Sequence, residues 1–312
     1  MKTKFGVIVF SVIVSVLFAP GAWSGAVRHP GGEDQDYVPT GRGWGVPDTL
    51  IEGAQKRSSR TTVKTSNGIN YHGGPLMLGT PNVYYIWYGN WSGNTAINIL
   101  DNLAFTLGGS PYYNINTTYY DGSNRKVSNA LAAPASTTDN YSRGTALTDN
   151  DVLTIVTNSI SSGTLPKDSN GIYVVLTSAD VNETSGFCTQ YCGWHSHANI
   201  LGMDAKFAFV GNADRCPNAC AAQTSSSPNG NIGADAMAST IAHEVDEAVT
   251  DPDLNAWYDT RGYENADKCA WKFGTVYKTA NGSSANMNLG GLNYLIQQNW
   301  LNAGGGKCAS SY

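Results

Sequence analysis

The chain has 312 residues and a formal net charge of −5 at pH 7, and charged residues make up only 14% of the sequence. A weakly acidic chain of this kind gives no reason to expect nucleic acid or an anionic membrane as a partner. The sparse charge and the many small polar residues are typical of extracellular proteins. The length suits one large domain or two small ones with a buried core.

The first 24 residues have the three parts of a secretory signal peptide. Met-Lys-Thr-Lys precedes an apolar run from Phe5 to Phe18, and Ala22-Trp-Ser24 supplies small residues for cleavage. The apolar run is shorter than the roughly 20 residues that a membrane-spanning helix needs, which favours cleavage over a membrane anchor. We therefore predict an exported protein without a membrane segment.

Residues 25–66 are predicted to form a flexible leader, because they are polar and show no hydrophobic periodicity. The alternative is a pro-segment that is cut near the dibasic pair Lys56-Arg57. We favour the plain linker, since dibasic pairs are common in disordered stretches. Residues 67–312 are predicted to form one globular domain.

The globular part alternates between strand and helix patterns. The strands are rich in β-branched and aromatic residues, and the helices carry apolar residues every three or four positions. In chain order we predict a strand at Asn82–Tyr88, a helix from Asn94-Thr95 to Gly108, a helix from the Thr148-x-x-Asp151 capping box to Gly163, strands at Ile172–Thr177 and Lys206–Gly211, and a helix from about Ala234 to Val249, stopped by Pro252.

All six cysteines lie in the second half of the chain, and an even number in an exported protein predicts disulfides. Two Cys-x-x-x-Cys pairs also match a four-thiolate zinc site, which an oxidising compartment disfavours. Several connectivities are compatible with the sequence. We prefer bridges between neighbouring cysteines: Cys188–Cys192, Cys216–Cys220 and Cys269–Cys308.

The last predicted helix carries the pattern His243-Glu244-x-x-Glu247. Residues four positions apart lie on the same face of a helix, so the His243 imidazole and the Glu247 carboxylate can bind one metal ion. Glu244 lies where zinc hydrolases of the His-Glu-x-x-His class have their general base. Glutamate in place of the second histidine adds negative charge, which weakens a bound cation as a Lewis acid and favours harder metals. The plainer interpretation is an acidic amphipathic helix that matches the short motif by chance.

Two observations favour the metal. The residues around the motif are small and apolar, unlike those of a solvated helix, and Glu264 follows 17 residues after Glu247. Zincins whose third ligand is glutamate have it at a comparable distance. Asp253, ten residues after His243, is the competing third ligand. Asp267 is expected to contact the ligands without binding the ion itself. We prefer zinc, or another divalent cation, bound by His243, Glu247 and Glu264.

Two more histidines, His195 and His197, lie in a segment that we predict to be a loop held by a disulfide. If this segment is extended, the two imidazoles face the same side of it, because they are two residues apart. We assign His195 to complete the metal shell or to stabilise an oxyanion. The equally weighted alternative is a buried, hydrogen-bonded histidine under Trp194. The sequence supports neither a Ser-His-Asp triad, since it has no Gly-x-Ser-x-Gly elbow, nor a cysteine nucleophile, since pairing removes free thiols.

Several separated motifs resemble those of the secreted EXORDIUM and phosphate-induced protein family of plants and its bacterial relatives. They span about residues 67–308 and include Tyr71-His-Gly-Gly-Pro-Leu, Ile86-Trp-Tyr-Gly, Phe209-Val-Gly-Asn, Cys216-Pro-x-x-Cys220, Gly233-Ala-Asp-Ala-Met, Thr250-Asp-Pro, Asn255-Ala-Trp-Tyr and Glu264-x-x-Asp-x-Cys269. The resemblance implies an extracellular or cell-wall-associated protein and no single biochemical activity. It also implies that some plant members lack the groups equivalent to His243, Glu244 and Glu247, which this sequence retains.

These observations predict an α+β fold: a single zincin-like domain with a twisted mixed sheet, one backing helix, one metal-motif helix and disulfide staples. The predicted function is a secreted metal-dependent peptidase in which Glu244 is the base and His195 assists, with extracellular proteins or peptides as substrates. Two carboxylate ligands predict an alkaline optimum. The alternative is a non-catalytic module that binds a cell-wall glycan or a protein, with a structural metal or none.

Overall fold

The three-dimensional structure is a computed structural model that describes residues 26–27, 38–42 and 67–312. The predicted signal peptide, residues 1–24, lies outside the described residues, as does most of the predicted leader. In the described part of the leader, Ala26–Val27 pairs antiparallel with Val38–Pro39.

A five-stranded mixed sheet forms the centre of the fold. Its order is β2-β1-β3-β5-β4, in which β4 is antiparallel to β5 and the other four strands are parallel. The reversal follows from the tight β4–β5 hairpin, where Leu201 and Gly202 both have positive φ. The strands are β1 (Asn82–Tyr88), β2 (Ala132–Asp139), β3 (Gly171–Thr177), β4 (Gly193–Ile200) and β5 (Met203–Val210).

Three long helices cover both faces of the sheet: α1 (Ala96–Leu107), α2 (Asp149–Ser161) and α3 (Ile232–Thr250). Helices α1 and α3 share a core with alternate residues of β1, and α2 packs on the other face against the residues between them. The α+β fold with disulfides is therefore observed, but the sheet is covered on both faces instead of being backed by one helix. The reason is that β1, β3 and β5 are apolar on both sides.

The predicted helix ends are confirmed where side chains cap them. The hydroxyl of Thr148 accepts a hydrogen bond from the Asp151 N–H, and the Asp151 carboxylate accepts one from the Thr148 N–H. Helix α3 begins two residues before the predicted start because Asn231 caps it by accepting from the Ala234 N–H at 3.0 Å.

Two strands of the central sheet were not predicted. Strand β2 is a partly exposed edge that contains Pro134, which an edge strand tolerates. Strand β4 occupies residues 193–200, so the predicted loop around His195 and His197 is wrong in its second half. It is a polar edge strand, and its sequence lacks the β-branched run that marks the central strands.

The cysteines form three disulfides, Cys188–Cys216, Cys192–Cys220 and Cys269–Cys308. The third bridge confirms the prediction, whereas the two bridges between sequence neighbours are wrong. Cys216 and Cys220 lie one turn apart beside the short helix Pro217–Cys220 and both face the segment before β4. Each therefore bonds across to that segment, which ties the start of β4 to the chain that leads into α3.

The remaining described elements are short and surround this framework. No described helix has the length and apolar character that crossing a membrane requires. The short strands are Asn70–Tyr71, Ala146–Leu147, Asn182–Glu183, Trp257–Tyr258, Tyr277–Lys278, Ser284–Ala285, Met287–Leu289, Leu292–Tyr294, Asn299–Leu301 and Lys307–Ala309; the 3₁₀ helices are Tyr113–Thr118, Ala213–Arg215 and Asp267–Cys269.

Candidate metal centre

Three segments bring a set of histidines and glutamates together under the end of the sheet, here called the buried cluster. Helix α3 supplies three of its side chains, β4 supplies one and the segment before the 3₁₀ helix Asp267–Cys269 supplies one. All five are at most 4% exposed, which is unusual for ionisable side chains unless they are paired or bind an ion. The members are His195, His243, Glu244, Glu247 and Glu264.

Glu247 lies at the middle of the buried cluster. Its Oε1 is 3.0 Å from His243 Nε2, and its Oε2 is 3.8 Å from His195 Nε2. Glu264 approaches from the other side, with Oε1 3.2 Å from His195 Nε2. Two ligand sets, His195–Glu247–Glu264 and His243–Glu247–Asp267, each have their donor atoms within 4.8 Å of one another. They share Glu247, so the two sets form one continuous group.

Asp267 holds the glutamates in place. Its backbone N–H donates to Glu247 Oε1 at 3.0 Å, and its Oδ2 accepts from the Glu264 N–H at 3.3 Å. Its Oδ1 lies 3.5 Å from His243 Nε2. The sequence predicted a supporting role for Asp267, and the geometry adds that its carboxylate is close enough to His243 to be a ligand itself.

The cluster contains histidines and carboxylates but no lysine or arginine. In the described part of the chain, the ion pairs of Glu247 and Glu264 are with histidines only. Burial raises the pKa of Glu264, and repulsion from Glu247 raises it further. Burial and repulsion from Asp267 likewise raise the pKa of Glu247. Uncompensated carboxylates in a dry site are costly, and a bound cation would remove that cost.

The two histidines differ in charge state. Burial lowers the pKa of His195 to about 4, so this imidazole is neutral, which is the form that binds a metal. Burial also acts to lower the pKa of His243, but the carboxylates of Glu247 and Asp267 outweigh it and raise that pKa well above the ordinary value. A proton on His243 thus stands in for the positive charge that a divalent cation would bring.

Some donor atoms of the buried cluster lack partners, which is compatible with a metal ion there. Within the described residues, several buried polar atoms of the cluster have no hydrogen-bond partner. Nitrogen and carboxylate donors of this kind suit Zn²⁺ and other first-row divalent ions. These atoms are His195 Nδ1, Glu244 Oε2 and Glu247 Oε2.

Glu244 faces a cleft and is packed against the start of β4. A Cβ at Gly193 would lie 2.9 Å from Glu244 Oε1 and 2.5 Å from Thr240 Cγ2, so glycine is needed there. Burial raises the pKa of Glu244 well above its ordinary value, and Glu247 adds to the effect. The cleft runs from His243 and Glu244 past Thr240 toward Trp271.

Other histidines and the competing ligand lie elsewhere. Asp253 pairs with Lys206 at 2.6 Å and does not enter the buried cluster. His197 contacts Asp204 at 2.9 Å. His72 follows the short strand Asn70–Tyr71 and stacks on the ring of Tyr258 at 3.5 Å, as expected for a structural histidine.

His195 is buried and hydrogen-bonded, but its environment differs from the plainer interpretation. Trp194 points to the opposite face of β4 and packs against Phe207 and Phe209, so it does not cover the His195 ring. The sequence signal that could have placed His195 is the Trp-His-Ser-His alternation itself, because it puts both histidines on one face of a strand.

Comparison with known proteins identifies the family. The phosphate-induced protein 1 conserved region matches residues 69–295. The chain belongs to this family. EXORDIUM-like 5 and EXORDIUM-like 3 of Arabidopsis thaliana are each 30% identical to it and cover 74% of its length; the matches span 75% and 80% of those relatives. PHOSPHATE-INDUCED 1 of Nicotiana tabacum is 27% identical, over 61% of this chain and 67% of its own. No solved structure is significantly similar to the chain.

Membership of the phosphate-induced protein family agrees with the expectation from the sequence motifs. The family match covers β1 through the segment that carries Glu264, so the whole buried cluster falls within the conserved region. Three disulfides and plant EXORDIUM relatives fit an extracellular protein.

Proposed function

We propose that this protein is a secreted, zincin-like, metal-dependent peptidase. The observation that carries the proposal is the buried cluster: two imidazoles and three carboxylates gathered without a lysine or arginine in the described chain, beside an open cleft. Structural helices have no need for such a group, because burying unpaired carboxylates destabilises a fold.

The position of the cluster in the fold supports the same proposal. Helix α3 lies under one face of the sheet, and the antiparallel strand β4 runs along the edge beside it. An edge strand offers backbone N–H and C=O groups to an extended peptide. A mixed sheet whose edge strand borders a His-Glu helix is the arrangement that a zincin-like peptidase requires.

In this proposal His243, Glu247 and Glu264 hold the ion and His195 completes its shell. When bound, a divalent cation polarises a peptide carbonyl and lowers the pKa of water. Glu244 is the proton acceptor, since it faces the cleft beside the proposed ligands, and burial raises its pKa. The shared position of Glu247 between both histidines makes it the ligand that orients the others.

Glu244→Gln tests the proposal, because it keeps the shape of the side chain and removes the base. Wild-type protein should release peptides from a fluorescently labelled, unfolded protein substrate, and rates should rise toward alkaline pH. Glu244→Gln should lower the rate by roughly 10²-fold or more while metal content stays unchanged. Asp101→Asn on α1 is the matched control and should behave as wild type.

Two results would count against the proposal. Turnover that survives Glu244→Gln would remove the assigned base. A metal-loaded wild type that cleaves none of a broad panel of proteins and peptides would favour the alternative, a non-catalytic module for a wall glycan or a protein with a structural metal.

A further inference from the structure

A short piece of the N-terminal leader lies on the free edge of β4. The backbone N–H of His195 donates to the carbonyl oxygen of Gly41 at 2.7 Å. Arg42 forms an antiparallel bridge with Trp194. The segment Thr40–Arg42, here called the edge segment, therefore extends the sheet by one short strand at the residue that also reaches the buried cluster.

The side chain of Arg42 is held on the α2 face of that edge. Its guanidinium forms an ion pair with Asp149, the first residue of α2, and donates to Ser185 Oγ at 2.9 Å. It also lies 4.9 Å from the ring centre of Tyr191 and 5.8 Å from that of Trp194. A carboxylate, a hydroxyl and two aromatic faces around one side chain form a site suited to a planar cation.

Hydrogen bonds from neighbouring side chains also hold the carboxylate of this site. Ser185 Oγ donates to Asp149 Oδ1 at 2.6 Å and also contacts Tyr191 Oη. Tyr191 Oη in turn donates to the buried carboxylate of Glu183. This chain of hydrogen bonds links the acidic and aromatic groups that surround Arg42.

The neighbouring position, Gly41, has no room for a side chain. Its φ is +67°, and a Cβ there would lie 2.0 Å from the carbonyl oxygen of His195 and 3.2 Å from Leu254 Cδ2. The edge thus accepts a glycine opposite His195 and an arginine at the next position. These two requirements set the register of the edge segment along β4.

We propose that the β4 edge is a binding site for an extended peptide that carries a Gly-Arg pair, and that Gly41-Arg42 occupies this site as an intramolecular competitor. Such peptides are the substrate class of the proposed peptidase, and this assignment rests on the proposed function. The peptide site itself is independent of catalysis. The edge segment is tethered, so a peptide in solution competes with an effective concentration of about millimolar.

Fluorescence anisotropy with a labelled decapeptide of residues 36–45 tests this inference on the full secreted chain. All variants carry Glu244→Gln, so that peptide is not consumed. We expect Arg42→Ala to bind the decapeptide about tenfold more tightly than the parent, because the competitor has lost its main anchor. Adding Asp149→Asn or Ser185→Ala to Arg42→Ala should reverse the gain. A decapeptide with alanine in place of its arginine should not bind.

Arg143→Ala is the matched control, since Arg143 pairs with Asp151 further along α2 and does not touch the β4 edge. It should bind the decapeptide as the parent does. Equal affinity of the parent and Arg42→Ala for the decapeptide, with no effect of Asp149→Asn in the Arg42→Ala background, would overturn the inference. Thermal melting confirms that each variant is folded.

The two proposals fail separately. Decapeptide binding without turnover by wild type would contradict the peptidase and leave the peptide site intact. Turnover that depends on Glu244 but does not change in Arg42→Ala or Asp149→Asn would contradict only the peptide site.

Discussion

His195 and His197 lie two residues apart on β4, yet they belong to two groups of side chains in which the negative charge of the carboxylates is balanced differently. His197 joins Asp204 and Asp253 in what we call the exposed cluster, and Lys206 supplies its positive charge at 2.6 Å from Asp253. His195 joins the buried cluster, in which Glu247 and Glu264 contact histidines and, among the described residues, form no ion pair with a lysine or arginine.

Both clusters have ligand atoms at distances that a metal ion would accept. Ligand type and spacing are therefore insufficient to define a metal site, because the exposed cluster carries its own cation. The buried cluster has carboxylates that burial makes costly, and the proton on His243 is its one positive charge in the described chain, so it is the cluster that gains most from a bound ion.

Metal removal should separate the clusters most strongly. We expect a chelator to lower the free energy of unfolding by about 4 kcal/mol, the value for free metal at roughly 1,000 times Kd. His195→Ala should lose this sensitivity to the chelator, and His197→Ala should keep it. Urea unfolding followed by tryptophan fluorescence measures both. A chelator effect that disappears in His197→Ala instead would mean that the metal binds at the exposed cluster, and it would contradict a metal site at the buried cluster.

Stability should depend on pH with opposite signs for a carboxyl behind the buried cluster and for one in the exposed cluster. Burial raises the pKa of Asp246, behind the buried cluster, to about 7. A carboxyl with a raised folded-state pKa binds a proton on folding, so stability falls as pH rises from about 4 toward 7. Asp246 alone should cost about 2–3 kcal/mol between pH 5 and pH 7, since one pKa unit is worth about 1.4 kcal/mol.

Asp204 in the exposed cluster provides the opposite case. Burial acts to raise its pKa, but hydrogen bonds from Lys206 and His197 outweigh this and lower it. Its contribution is therefore present above the unfolded-state pKa and is lost as pH falls. Urea unfolding of the chelated wild type and of Asp204→Asn from pH 3 to pH 8 measures both. A stability of the chelated protein that rises from pH 5 to pH 7 would contradict the account of Asp246.

Gly193→Ala should damage the buried cluster and leave the exposed cluster unchanged. The added methyl group would meet Thr240 and Glu244 at 2.5 and 2.9 Å, which should cost about 1–3 kcal/mol and displace the proposed base. Ser196→Ala on the same strand is the control. Thermal melting and metal affinity measure the effect, and a variant with unchanged stability and activity would show that this close packing is unimportant.

Lys206→Met should give the smallest effect and probes the comparison directly. It leaves Asp253 and Asp204 without their cation and should cost about 1 kcal/mol, since the pair is only partly buried. Millimolar Ca²⁺ should restore part of this loss, because the variant now resembles the buried cluster, whose ion pairs among the described residues include no lysine or arginine. Equal Ca²⁺ effects on the melting of wild type and variant would contradict this reasoning.

Much of the framework was predictable because its signals are local. The capping box at Thr148 and the aromatic run of β1 depend on neighbours in the sequence, and both elements were confirmed. The pairing of the first four cysteines was not predictable in the same way. It depends on a short helix that turns Cys216 and Cys220 toward the segment before β4, which is a tertiary contact.

In the candidate site, too, some features follow from local sequence and others depend on tertiary contacts. The spacing of His243 and Glu247 follows from helix geometry, and His243 Nε2 lies 3.0 Å from Glu247 Oε1. Glu264 forms a ligand set with Glu247 and His195, whereas the set that contains His243 includes Asp267, so the predicted triad stays a prediction. The position of His195 required strand β4, whose polar edge sequence gave a weak signal. The exclusion of Asp253 required Lys206, which lies 47 positions earlier in the chain and is brought to it only by the fold.

The most direct test of the central claim is the metal content of the purified secreted protein, measured by mass spectrometry for wild type, His243→Ala and His197→Ala. The account predicts one divalent ion per chain in wild type and His197→Ala and none in His243→Ala. No stoichiometric metal in wild type, or equal metal in wild type and His243→Ala, would contradict it and leave the buried cluster as a structural element of the fold.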